Sequence, residues 1–111
     1  MTYDEHLANR IRELMADEAG VSERRMFGGL AFLIGGNMSV SASGHGGLLC
    51  RVDPARGEAL SKRDHAEPAV MRGRTMDGWL RVDAEGVRTD RQLERWVKHS
   101  VAYARSLPPK R

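Results

Sequence analysis

Basic side chains carry most of the chemical promise of this sequence. Toward its end Arg91, Arg95, Lys98 and Arg105 recur at helical spacings. At 100° per residue they share one stripe, opposite Trp96, Val97 and Ala104. Lys110 and Arg111 extend the stripe, and Arg72, Arg74 and Arg81 add charge near two later strand-like segments. Guanidinium and ammonium groups so arranged suit docking to phosphate or to an acidic protein surface. The competing reading is an ordinary solvated face, because Glu94 and nearby acids dilute the field. No aromatic residues interleave with the basic ones as a single-strand platform would need.

The remaining reactive types do not assemble into a recognisable centre. His6, His45, His65 and His99 are scattered, and none stands in a paired metal-ligand spacing. Cys50 sits beside Leu48, Leu49 and Val52, a setting for a small buried side chain rather than a nucleophile. Gly44-His45-Gly46-Gly47 resembles a phosphate cradle, but a cradle precedes a helix and here a strand follows. The acid pairs Asp4-Glu5 and Asp17-Glu18 belong to helix ends. No catalytic, cofactor or metal residue is therefore expected, and no enzyme. A small enzyme or ligand pocket around His45 and Arg72 ranks last.

The elements that would position these residues follow from periodicity. Thr2 and Glu5 have the spacing of a capping box, and Leu7, Ile11, Leu14 and Met15 then fall on one helical face, with Gly20 ending the pattern. A strand is expected over Arg25–Ile34, a turn at Gly35-Gly36-Asn37, and further strands over Met38–Ser43 and Leu48–Val52. Asp53-Pro54 starts a short helix reaching about Lys62. Pro68–Met71 and Gly78–Val82 are two more strands, joined through Arg72-Gly73-Arg74. Thr89 and Gln92 open the last helix, which carries Leu93, Trp96, Val97, Val101, Ala104 and Leu107 on its apolar side.

These elements give an α+β domain of order α-β-β-β-α-β-β-α: a two-layer sandwich with an antiparallel sheet of about five strands and helices on one face. The domain spans residues 1–107, with a basic tail over 108–111. The first strand is apolar in both registers: Met26, Leu30, Phe32 and Ile34 point one way, Phe27, Ala31 and Leu33 the other. If helices cover one face, the other is left as an exposed apolar patch, and such patches mark interfaces. Met26, Phe27 and Leu33 are therefore the expected protein-interaction residues, with a homodimer or another protein as partner. Gly28-Gly29 could admit a second backbone closely or relieve crowding under a crossing helix. Trp79 and Trp96 read as core aromatics.

Bulk properties agree. The chain has 111 residues, a formal net charge of +3 from 18 basic and 15 acidic side chains, and a single cysteine. It is one domain that buries roughly 65% of its unfolded surface, without disulfide staples. The sequence shows neither a signal-peptide pattern nor an apolar run long enough for a bilayer, so a cytoplasmic protein without a membrane partner is expected.

The run Arg25-Met26-Phe27-Gly28-Gly29, then Phe32, then Gly36-Asn37-Met38, resembles the N-terminal domain of the TfoX/Sxy family. Met76, Gly78-Trp79, Leu93 and Trp96 follow in the same order, so the resemblance covers nearly the whole chain. It implies a two-layer domain with an antiparallel sheet and, from members that regulate natural competence beside a transcription activator, a non-enzymatic role. The full-length regulators carry a second, C-terminal domain. This chain ends after the last helix of the first, which argues against a direct competence or DNA role. The leading expectation is a protein-interaction domain related to transcription or competence regulation. The alternative is weak nucleic-acid binding through Arg91, Arg95, Lys98 and Arg105, with Arg72 and Arg74 as further anion contacts.

Overall fold

The computed structural model describes residues 3–26 and 28–110; Thr2, Phe27 and Arg111, used in the reading above, lie outside them. Helix α1 (Glu5–Leu14) leads into four strands, β1 (Val21–Met26), β2 (Gly29–Ile34), β3 (Asn37–Ala42) and β4 (Leu48–Arg51). Helix α2 (Pro54–Ser61), strands β5 (Ala66–Met71) and β6 (Arg74–Val82), a 3-10 turn (Ala84–Val87) and helix α3 (Asp90–Ser106) complete the described chain. All strand pairs are antiparallel, in the order β1-β2-β3-β4-β6-β5. The α+β class and the antiparallel sheet are as the sequence predicts, with six strands rather than about five.

The extra strand comes from splitting the expected Arg25–Ile34 segment. Gly28 has φ +75°, a left-handed conformation that ends β1 and starts a hairpin. Met26 consequently belongs to a different strand from Leu30 and does not share its face. Gly29 answers the question of close approach: a Cβ there would lie 2.2 Å from the Ala42 carbonyl oxygen. The neighbouring backbone is the domain's own β3, and neither a partner nor a crossing helix is involved.

Helix starts follow local chemistry. The Asp4 side chain accepts hydrogen bonds from the His6 and Leu7 N–H groups at 2.9 and 3.1 Å, so Asp4 caps α1 in place of the expected Thr2. The helix ends at Leu14, and Gly20 sits instead in the approach to β1, where its carbonyl accepts from the Gly35 N–H. Asp53 and Pro54 open α2 as expected. Thr89 and Gln92 form a reciprocal capping box on α3.

The helices pack on one face of the sheet. Leu7, Ile11 and Met15 of the first helical segment, Leu60, and Leu93, Trp96, Val97 and Ala104 meet Leu30, Phe32, Ile34, Val40, Leu48, Cys50, Leu80 and Val82 in one core. Burying a side chain such as Phe32, which is fully enclosed, contributes roughly 1.5–3 kcal/mol. The supposed tail is tied down. The Lys110 N–H donates to the Gly35 carbonyl at 2.7 Å, and Asn37 Nδ2 donates to the Pro108 carbonyl at 2.9 Å.

Candidate functional site

The second face of the sheet is built differently from expectation. β2 directs Ala31 and Leu33 to it. A bulge at Ser39, where Phe32 pairs with Val40 but Leu33 pairs with Met38, turns Met38 to the same side. The Ser39 hydroxyl donates to the Phe32 carbonyl at 2.8 Å and so satisfies the disturbed ladder. Leu49 and Ala69 complete a second, smaller core.

That core is closed within a single copy. Leu33 is 8% exposed, Met38 5% and Leu49 3%. Met26 from one edge of the sheet and Met71 and Trp79 from the other side, each half-buried, pack against the same five residues. The expected bare apolar patch centred on Leu33 is therefore absent. Long side chains from the flanks of the sheet close over β2, which is buried along its whole length. Trp79 is correspondingly part of the rim, whereas Trp96 is in the core.

Pairing register shows what surrounds this floor, because cross-strand partners point to one face. Arg24 pairs with Ala31, Arg81 with Leu49, Arg51 with Trp79 and Arg74 with Met71. The register thus places Arg24, Arg74 and Arg81 around the apolar centre, joined by Glu67 opposite Arg81, while Arg51 stands at the end of its strand and reaches toward the helical layer. Among the described residues none of the four has a carboxylate within salt-bridge distance, although Arg12, Arg10, Arg88 and Arg105 elsewhere do. The Arg51 guanidinium is 5.4 Å from the ring centroids of both Trp79 and Tyr103, and Arg81 donates to the Ser43 hydroxyl at 3.1 Å.

The basic stripe of α3 does not survive as one patch. Arg105 Nε donates to Glu18 Oε1 at 2.8 Å and Nη2 also reaches the Ala19 carbonyl, while Lys98 pairs with Glu94 at 3.8 Å. Arg91 and Arg95 keep no such partner among the described residues. They line a cleft of about 330 Å³ with Arg63, Asp64, His65, Thr89 and Gln92. Arg72 and Arg74 are elsewhere, at the β5–β6 hairpin, beside Met71 and Met76.

The expected His45–Arg72 pocket is not formed. His45 instead borders a cleft of about 350 Å³ with His65, Glu67, Arg81 and Asp83. His65 Nδ1 lies 3.1 Å from Asp83 Oδ1. Cys50 is fully enclosed, and burial pushes its thiol up to about 12, so at neutral pH it holds its proton. Ser100 Oγ faces that thiol and has no oxygen or nitrogen partner among the described residues; a thiol is too weak a partner to replace one.

Sequence reasoning singled out Met26, Leu33, Arg74, Arg91 and Arg95 but passed over Arg24, Arg51 and Arg63. Alternation within Ser22-Glu23-Arg24-Arg25-Met26 could have placed Arg24 beside Met26, had the strand break been recognised. Among the described residues no helix is long and apolar enough to cross a membrane. No curated protein and no solved structure matches the chain. The family model for the TfoX N-terminal domain does match, over residues 13–104 of the 111, and the chain belongs to that family.

Proposed function

We propose that the chain is a non-enzymatic binding module of regulatory type, docking another protein on the second face of its sheet. One observation carries this reading: Arg24, Arg74 and Arg81, without carboxylate partners among the described residues, surround an apolar floor whose rim, Met26, Met71 and Trp79, is half-exposed. Methionine and tryptophan supply adaptable apolar contact, and unpaired guanidiniums supply directional sites for carboxylates. The fitting partner is a protein segment that alternates acidic and apolar side chains. Membership of the TfoX N-terminal family is compatible with regulation by binding.

Charge separates this partner from a second copy. Two identical faces stacked together would oppose arginine with arginine, with Glu67 as the acid the register places there. Like charges brought together in an interface cost several kcal/mol. Self-association through this face is thus the weaker form of the reading. Nucleic-acid binding through α3 is weaker still, since Glu18 and Glu94 engage two of its four cations.

The test is a pull-down from the native host with the parent chain and with an Arg24→Glu/Arg74→Glu variant, beside an Arg91→Glu/Arg95→Glu control. The reading expects a partner that parent and control retain and that the face variant loses, at unchanged melting temperature. Identical capture by parent and face variant would count against it. So would a parent that light scattering shows to be a dimer whose formation requires Arg91 and Arg95.

A further inference from the structure

The helical layer holds a second concentration of charge, distinct from the sheet face. Arg91, Arg95 and His99 stand at successive four-residue steps along α3 and form one ridge. Arg63, just past the end of α2, lines the same cleft as Arg91 and Arg95. Arg56, from α2 itself, approaches His99 further along. His99 is held below its ordinary pKa by partial burial first, then by repulsion from Arg63, Arg56 and Arg95. Of the acids nearby, Asp64 lines the Arg63 cleft and Asp53 the adjoining one. Neither makes a salt bridge to these arginines.

This arrangement contrasts with the other cations of the same helical layer. Arg88, Lys98 and Arg105 each hold a glutamate. Arg56, Arg63, Arg91 and Arg95 do not, among the described residues, so each guanidinium is free to take an anion. A space of about 330 Å³ corresponds to about ten water volumes, room for more than one tetrahedral anion. Its lining carries three guanidiniums against one carboxylate, leaving aside His65, which pairs with Asp83. A ligand with at least two negative charges balances that set. Guanidinium forks match phosphate oxygens two at a time.

We propose that the cleft between the end of α2 and the start of α3 binds a small soluble ligand through a diphosphate group, gripped by Arg63, Arg91 and Arg95. The side chain of Gln92 and the exposed start of α3 border the same space and add polar and positive character.

The probe is inorganic pyrophosphate, titrated calorimetrically into the parent chain at low and at moderate salt. Saturable one-site binding is expected. Each of Arg63→Gln, Arg91→Gln and Arg95→Gln should weaken it at least roughly tenfold, in line with losing a charge-assisted hydrogen-bonded contact. Arg72→Gln, an equal change in net charge at the distant hairpin, should leave it unchanged. These arginines are exposed, and unchanged melting temperatures will show that the variants stay folded. In parallel, the His99 imidazole followed by NMR should titrate at higher pH once pyrophosphate is bound, because the anion offsets the arginine repulsion. Absence of binding overturns the proposal. So does an Arg72→Gln effect as large as that of Arg91→Gln, which would mean diffuse attraction. Duplex DNA that binds through the same three arginines and displaces pyrophosphate overturns it too, making the cleft part of a nucleic-acid surface.

Discussion

Replacing Leu33 by alanine separates a closed second face from an open one. If Leu33 were an exposed interface residue, truncation would change stability by less than about 0.5 kcal/mol and affect only association. It is instead 8% exposed and packed with Ala31, Met38, Leu49 and Ala69. Leucine-to-alanine changes in such settings cost about 2–5 kcal/mol, the larger values where the cavity cannot collapse. Here the cover is partly Met26 and Met71, flexible and half-buried, which can settle into the vacated space. The expected loss is therefore in the lower part of the range, about 2–3 kcal/mol. For a domain of this size that corresponds to a melting temperature lower by about 8–12 °C. The urea midpoint should fall by roughly 1–2 M for an ordinary slope. Both shifts should be the same across a roughly hundredfold range of protein concentration, since no second copy is needed to bury the residue. A variant as stable as the parent, or a loss that appears only at high concentration, would refute the closure of this face within one copy.

Three further outcomes test other parts of the structure. Gly29→Ala should cost about 3 kcal/mol or more, because its Cβ would collide with the Ala42 carbonyl at 2.2 Å, whereas Gly28→Ala meets open space and should cost only about 1–2 kcal/mol for its positive φ. Equal losses in thermal unfolding would contradict the close approach of β2 and β3. Ser100→Ala removes a buried hydroxyl without a proper acceptor and should be neutral or stabilising by up to about 1 kcal/mol; a clear loss of stability would give the Cys50 contact real weight. Glu23 is held below the usual carboxylate range by two hydrogen bonds from Arg12, so its contribution is complete above the ordinary glutamate pKa and lost as pH falls through the lowered one. The urea midpoints of parent and Glu23→Gln should accordingly converge in acid, and a gap that persists there would speak against this pairing.

The layout was legible where local chemistry fixes it. Asp53-Pro54, the Thr89–Gln92 pair and the Gly35-Gly36 turn each appear where their residue types demand. The two-sided apolar character of Leu30 to Ile34 marked a strand that needs cover on both faces, but the expectation left the second face bare for a partner, whereas the chain's own side chains close it. What covers the second face was not legible, because it depends on side chains from β1, β5 and β6 converging on one place. The break at Gly28 was hidden because Met26 continues the apolar alternation across it. Charge was the least legible feature. Arg105 and Glu18 are far apart in sequence yet hydrogen bonded, and nothing local to Arg91, Arg95 and Arg63 announces that they share a cleft.

The strand order also has a consequence for how the domain can be taken apart. Strands β1 to β4 each lie beside their sequence neighbour, and the β5–β6 hairpin joins them through the single seam of residues 48–51 against 79–82. A cut in the loop between α2 and β5 would leave one fragment holding Leu33, Met38 and Leu49 and another holding Ala69, Met71 and Trp79. Neither fragment can shelter its share of the second core without the other. Re-zipping that seam restores both layers together, which makes this loop a natural point for splitting the domain into a complementing pair.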